Sequence, residues 1–120
     1  MTGRRVAIGV VRALLAALFL ATGAMKLRGG AEAVAASEHL GLGQGFRVFI
    51  GACEVAGAVG LVLTPFAALA AVGLALVMTG AVASHLLVLG PSAVPAAVVL
   101  ALCLVLSWAE RDTLHMWALL

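Results

Sequence analysis

Four apolar runs of membrane-spanning length occupy most of the sequence, and they narrow its choice of fold more than any other feature. The first is closed by Lys26, Leu27, Arg28 and the pair Gly29-Gly30, and the second leads from Phe46 to Leu63. The third follows Thr64-Pro65-Phe66, and the fourth lies between the prolines of Gly90-Pro91-Ser92-Ala93-Val94-Pro95 and Trp108. Inside a bilayer no water is present to satisfy backbone N–H and C=O groups, so a spanning segment is either a helix or a strand of a closed barrel. These runs lack the strict alternation of barrel strands, which leaves helices. Gly and Pro at the breaks end helices and support the same division. The expected fold class is all-α: an integral membrane four-helix bundle forming one transmembrane domain over residues 1–120, with helices at about 6–26, 46–64, 66–89 and 91–109. Composition agrees. Hydrophobic residues make up 65% and charged residues 10% of the chain, against about a quarter charged in soluble domains, and the mean hydropathy is +1.25. The formal net charge of +2 comes from a few scattered Arg and Lys residues, too few for a nucleic-acid-binding surface. The expected neighbour is the lipid bilayer, with no nucleic acid partner.

Between the first two runs, the segment from Ala31 to Leu40 begins like a short amphipathic helix with Ala31, Val34, Ala35 and Leu40 on its apolar side, and it ends in a Gly-rich turn. It is expected to lie on the membrane surface. Arg4, Arg5 and Arg111 flank one side of the parse, and Lys26, Arg28 and Arg47 lie on the other beside Glu32 and Glu38. The positive-inside rule gives the acids little weight. This reading places both termini in the cytoplasm and the chain, multi-pass, in a bacterial inner membrane. In the tail, Trp108 and Trp117 bracket Glu110, Arg111 and Asp112, as suits a helix end at the headgroups, with Leu119 and Leu120 returning to the apolar boundary.

Glu54 is the residue that this architecture explains least. It falls eight residues into the second span, about 12 Å along a helix, on a face shared with Arg47, Ile50, Gly51, Gly57, Ala58 and Leu61. Small residues on one stripe let membrane helices approach closely, so Glu54 is expected to face the bundle interior. Lys26 ends the first span on a stripe with Phe19, Thr22 and Gly23, and His85 comes about one turn before the outer end of the third, with Met78 and Ala81 on its face. An isolated ionised carboxylate is costly in an apolar interior. Glu54 is therefore expected to be protonated or to meet His85, Lys26 or Arg47. Taken alone, Lys26 reads as an anchor snorkelling to the interface. The cluster has two readings, as a ligand-binding or proton-handling site, or as polar glue fixing the register of slippery helices. Cys53 and Cys103, 50 positions apart in sequence, read as buried small residues and not as a dithiol. Nothing in the spacing of His39, His85 and Glu54 calls for a metal, and no catalytic residue is assigned.

At these residues the chain resembles the DoxX-like membrane proteins, small four-helix bacterial proteins. The resemblance is carried by ATGAMKL with Lys26, by LGLGQGFRVFIGACEVAGAVGL with Arg47, Gly51, Glu54, Gly57 and Gly60, and by GAVASHL with His85. The family takes its name from the small subunit of an archaeal thiosulfate:quinone oxidoreductase. The resemblance implies a subunit or accessory of a quinone-linked membrane redox system, with quinone as the ligand. A His and a carboxylate beside an apolar slot suit such a ligand, whose reduction couples electrons to protons. The sequence has no flavin or dinucleotide fingerprint, no iron–sulfur spacing and no evident pair of haem-ligand histidines, so the chain is not expected to be a complete enzyme alone. Two classes of function follow: a subunit that binds a quinone or other apolar small molecule and works with a redox partner, or a scaffold or assembly factor for another membrane protein. Homo-oligomer formation is compatible with either.

Overall fold

The computed structural model describes residues 2–89 and 93–112. Trp117, Leu119, Leu120 and the turn at Gly90, Pro91 and Ser92 lie outside the described residues. Five α-helices are present among them: α1 (Thr2–Arg28), α2 (Ala31–Leu40), α3 (Gly43–Val62), α4 (Ala67–Ser84) and α5 (Val94–Ala109). A 3-10 turn, Thr64–Phe66, leads into α4, and a π-helical turn, His85–Leu89, extends it. The four apolar runs and the short intervening segment are thus all helical. The expected helix boundaries shift: α1 extends past both limits, and α3 starts at Gly43 in place of Phe46.

Local chemistry explains the ends. Gly29 has φ +75°, its N–H bonds to the Lys26 carbonyl and the Gly30 N–H reaches Met25, which is the reciprocal pattern that glycine at this position makes cheap. Gly41, φ +71°, closes α2 the same way through Glu38 and Ser37. Pro65 and Pro95 sit in the first turns of their helices, where a missing N–H costs nothing.

Contacts run in opposite directions along α1 and α3: Arg12 meets Leu61, Thr22 meets Glu54 and Gly23 meets Gly51. The two helices are therefore antiparallel, and they touch closely because neither Gly23 nor Gly51 carries a side chain. A Cβ on Gly23 would lie 2.8 Å from the Gly51 carbonyl oxygen. The opposite flank of α3 receives α4, where a Cβ on Gly57 would come within 2.6 Å of Leu74 and one on Gly60 within 2.8 Å of Ala70. Small residues on two faces let one helix serve as the spine between two neighbours. α4 packs in turn along α5.

The core is formed by Leu15, Phe19, Leu61, Leu74, Cys103 and Leu106. Outward-facing positions are also apolar, among them Leu14, Phe49, Leu76, Val105 and Trp108, which suits a lipid surround. Three helices, Gly3–Arg28, Gly43–Val62 and Thr64–Leu87, are long and apolar enough to cross a membrane, and Val94–Ala109 is apolar but shorter. At the end away from α2, Arg12 donates from Nε to the Leu61 carbonyl at 2.7 Å and lies 4.0 Å from the Glu110 carboxylate, so a cation within the first apolar run ties α1 to the ends of α3 and α5.

The expected apolar side of α2 is corrected. Ala31 and Ala35 are exposed, and the inward stripe is Ala33, Ala36, Ser37 and Leu40. With Glu32, Glu38 and His39 all turned to solvent, helical periodicity leaves only that stripe to pack. α2 packs against α3 and the π-helical turn.

The glycine contact makes a direct test. Gly23→Ala should lower the melting temperature in detergent by several degrees, because the atoms it meets are backbone and a packed valine. Gly73→Ala meets nothing within 4 Å and should leave stability unchanged or raise it by about 0.5–1 kcal/mol, the ordinary gain from replacing a mid-helix glycine. Equal melting of the two variants would contradict the close α1–α3 approach.

Candidate functional site

The glycine contact sets up the polar site. Because the two helices are antiparallel, Lys26 lies one turn beyond the closest approach in one direction and Glu54 one turn in the other, and the Lys26 stem, packed over Gly51, reaches back to the carboxylate. The Lys26 Nζ lies 2.7 Å from Glu54 Oε2, within charge-assisted hydrogen-bond range. Thr22, one turn before Lys26, donates its hydroxyl to Glu54 Oε1 at 3.0 Å, closer than the Phe19 carbonyl of its own helix at 3.4 Å. Oε1 thus has a hydrogen-bond donor, and Oε2 is buried with the Lys26 ammonium as its ion-pair partner and no hydrogen bond of regular geometry. Glu54 is 1% exposed, whereas Lys26 keeps 31% of its side chain accessible. The reading of Lys26 as a free snorkelling anchor is corrected: its stem crosses Gly51 and its ammonium neutralises a buried carboxylate. Counted from Gly43, Glu54 sits about 16 Å along α3.

Arg47 serves a different purpose. It donates from Nε to Gln44 Oε1 at 2.7 Å and from Nη1 to the Lys26 carbonyl, a cation at the C-terminal end of α1 where the helix dipole favours it. Gln44 reaches the Val34 carbonyl of α2 at 3.5 Å. Arg47 and Gln44 therefore fasten the end of α1 and the short helix α2 to the start of α3. Arg47 meets Lys26 through its backbone only.

His85 opens the π-helical turn, and its Nδ1 lies 2.9 Å from the Ala81 carbonyl. A carbonyl only accepts, so Nδ1 carries a proton and Nε2 is the lone-pair nitrogen of the neutral ring. A π turn inserts an extra residue into the helical register and recurs at functional sites.

All four expected residues, Lys26, Arg47, Glu54 and His85, line one half-open cavity of about 520 Å³ between α1, α2, α3 and α4. Its remaining wall is largely apolar, with Phe46, Ile50 and Met78 among the lining. The volume falls within the usual range of small-molecule sites, about 300–1,000 Å³, and a mostly apolar wall with a few placed polar groups is their usual character. His85 is on the wall formed by α4 and makes no hydrogen bond with the other three among the described residues. No group of three or more His, Cys, Asp and Glu that could hold a metal ion occurs among the described residues. Cys53 and Cys103 are free thiols.

Three site residues escape a reading of the sequence alone. Thr22 shares a stripe with Lys26, but a threonine within an apolar helix ordinarily bonds back to its own backbone. Gln44 stands three positions before Arg47, the spacing of helical neighbours, yet it lies in a segment that reads as a loop. Ser37 is buried and lines the cavity from above, and only the true inward face of α2 reveals it.

The fold and site together define a small all-helical membrane protein with a polar-edged cavity between its helices. The DoxX-like family model matches residues 10–108, and the chain belongs to that family. No curated protein and no solved structure matches it.

Lys26 and Glu54 generate a prediction about stability. Lys26→Met leaves a carboxylate buried without its cation and should cost about 3–5 kcal/mol, while the double variant Lys26→Met with Glu54→Gln should recover most of that loss. Glu54→Gln alone should cost less, since a half-exposed lysine can turn to water. Thermal melts in one detergent measure all four states. Additive losses in the double variant would remove the ion pair from the account of this site.

Proposed function

We propose that the chain is a four-span membrane subunit that binds a quinone or another apolar small molecule in the cavity beside Lys26, Glu54 and His85, and that it serves as an accessory of a membrane redox system. The observation that carries this reading is the cavity itself: a packed helical bundle needs no space of about 520 Å³ beside Lys26, Arg47, Glu54 and His85. A role in register alone would be met by the ion pair without an adjoining void. Electrons would come from a partner protein, because this chain's own residues offer hydrogen bonds and a proton acceptor and no electron carrier. The charge distribution supports a bacterial inner-membrane location with both termini inside and α2 on the outer side.

A second reading, a scaffold for another membrane protein, is favoured by one observation. Thr22, Lys26, Glu54, Arg47 and Gln44 all bond to one another or to backbone, so the network holds the helices together whether or not anything is bound.

Ligand titration separates the two. The purified chain in nanodiscs should bind short-chain ubiquinone or menaquinone analogues saturably, and Ala81→Phe, which projects into the cavity from α4, should abolish binding with little change in melting temperature. Absence of binding by any analogue, with a stoichiometric membrane-protein partner recovered in its place, would favour the scaffold. The orientation has its own measurement in a background lacking Cys53 and Cys103. A cysteine at exposed position Glu38 should react with an impermeant maleimide in intact cells, and one at Asp112 only after lysis. The reverse pattern would invert the topology.

A further inference from the structure

Resting on the reading of the cavity as a ligand site, we infer that it selects an apolar molecule whose head carries a hydroxyl donor on one edge and an oxygen acceptor on the other, as a hydroquinone does, and that it holds this reduced form in preference to the oxidised quinone. The inference follows from which hydrogen-bonding positions the protein has already used. Glu54 is 1% exposed, accepts from Thr22 on Oε1 and has the Lys26 ammonium 2.7 Å from Oε2, so burial leaves it almost nothing to offer a ligand. Arg47 spends Nε and Nη1 on Gln44 and the Lys26 carbonyl. Lys26 is ion-paired with Glu54, carries three ammonium protons and keeps 31% of its side chain accessible. The wall from α1 and α3 therefore donates, and α2 adds the Glu32 carboxylate, an acceptor at the exposed rim, and the Ser37 hydroxyl.

The wall from α4 has the opposite character. His85 has its Nδ1 proton on the Ala81 carbonyl, which leaves Nε2 as the polar atom a ligand can use, and in the neutral ring that atom only accepts. Ser84, its neighbour in the lining, has spent its hydroxyl proton on the Gly80 carbonyl at 2.8 Å and likewise retains only lone pairs. A quinone has carbonyl acceptors alone: it satisfies Lys26 but leaves Nε2 facing a group that cannot donate. A hydroquinone gives one hydroxyl proton to Nε2 and accepts from Lys26 on its other oxygen. Leaving one acceptor unpaired in an apolar cavity corresponds to a preference of about tenfold.

A redox-inert pair of probes tests this without oxidation during the measurement: a 4-alkoxyphenol with an apolar tail and its O-methyl ether, which differ in one hydroxyl proton. The wild-type chain in nanodiscs should bind the phenol about tenfold more tightly than the ether. His85→Phe should bring the two affinities together by weakening the phenol alone, with the melting temperature of the variant confirming its fold. A bound two-electron quinone couple should have its midpoint raised by about 30 mV for each tenfold preference. Equal wild-type affinities for phenol and ether would overturn the selectivity while leaving the cavity a ligand site. Failure of both probes and of quinones to bind would overturn the ligand site itself. A preference that survives in folded His85→Phe would overturn the assignment to Nε2.

Discussion

The approach of α1 to α3 at Gly23 and Gly51 governs the rest of this molecule. Two helices in lipid gain little from apolar burial, because acyl chains are as apolar as leucine, and their association depends on close packing and on polar bonds. The missing side chains at Gly23 and Gly51 supply the first and make the second reachable: a threonine hydroxyl is too short to cross an ordinary helix interface, yet Thr22 reaches Glu54 at 3.0 Å. The same approach lets the Lys26 stem fold over Gly51 and put its ammonium on the carboxylate. A charge that would otherwise be prohibitive in the interior is thereby held as an ion pair, with Thr22 bonded to the second carboxylate oxygen.

The α2 arrangement follows from the same end of α1. Gly29 turns the chain back at the end of the first helix, and Arg47 closes that end from α3. Gln44 links Arg47 to α2. The short helix is consequently laid across the bundle, with Ser37 and Leu40 inward and its acids in water. Where α2 crosses, the lining of α2 and α4 is small, with Ala33, Ala36, Gly80 and Ala81, whereas the middle and opposite end are filled by Phe19, Leu15, Leu61, Leu74 and Leu106. Small residues of α2 and α4 thus face the cavity among larger ones such as Phe46, Ile50 and Met78.

Much of this was legible in the residues. The apolar runs and their Gly and Pro breaks fixed the helical class and the approximate limits of each run, since backbone satisfaction in lipid admits few alternatives. Glu54 was identifiable as an interior residue because its stripe carries Gly51, Gly57 and Ala58. The partner of Glu54 was not determined by pattern, because Lys26, Arg47 and His85 all fall near its level, and the choice among them depends on the rotation of each helix about its axis. That rotation is set by Gly23 against Gly51, a contact between helices that periodicity within one helix does not encode. The face of α2 was misjudged for a related reason: in a segment rich in alanine, apolar residues occur on every side, and the positions of Glu32, Glu38 and His39 are the better guide.

Arg12 and Lys26 show how one residue class performs opposite tasks at the two ends of a single helix. Both are cations on α1 that meet α3. Arg12 gives its Nε proton to the Leu61 carbonyl near the end of α3 and approaches Glu110 beyond α5, so its fork joins three helices at the end where Leu15, Leu61 and Leu106 fill the core. Lys26, a compact charge on a flexible stem, neutralises Glu54 with one proton and retains others beside empty space. A guanidinium at position 26 would extend further and favour two-point binding of the carboxylate, consuming the donors that face the cavity. The choice of lysine leaves donor capacity where the bundle is open, and arginine is placed where closure is needed. The distribution of cations thus gives the molecule a fastened end and a receptive one.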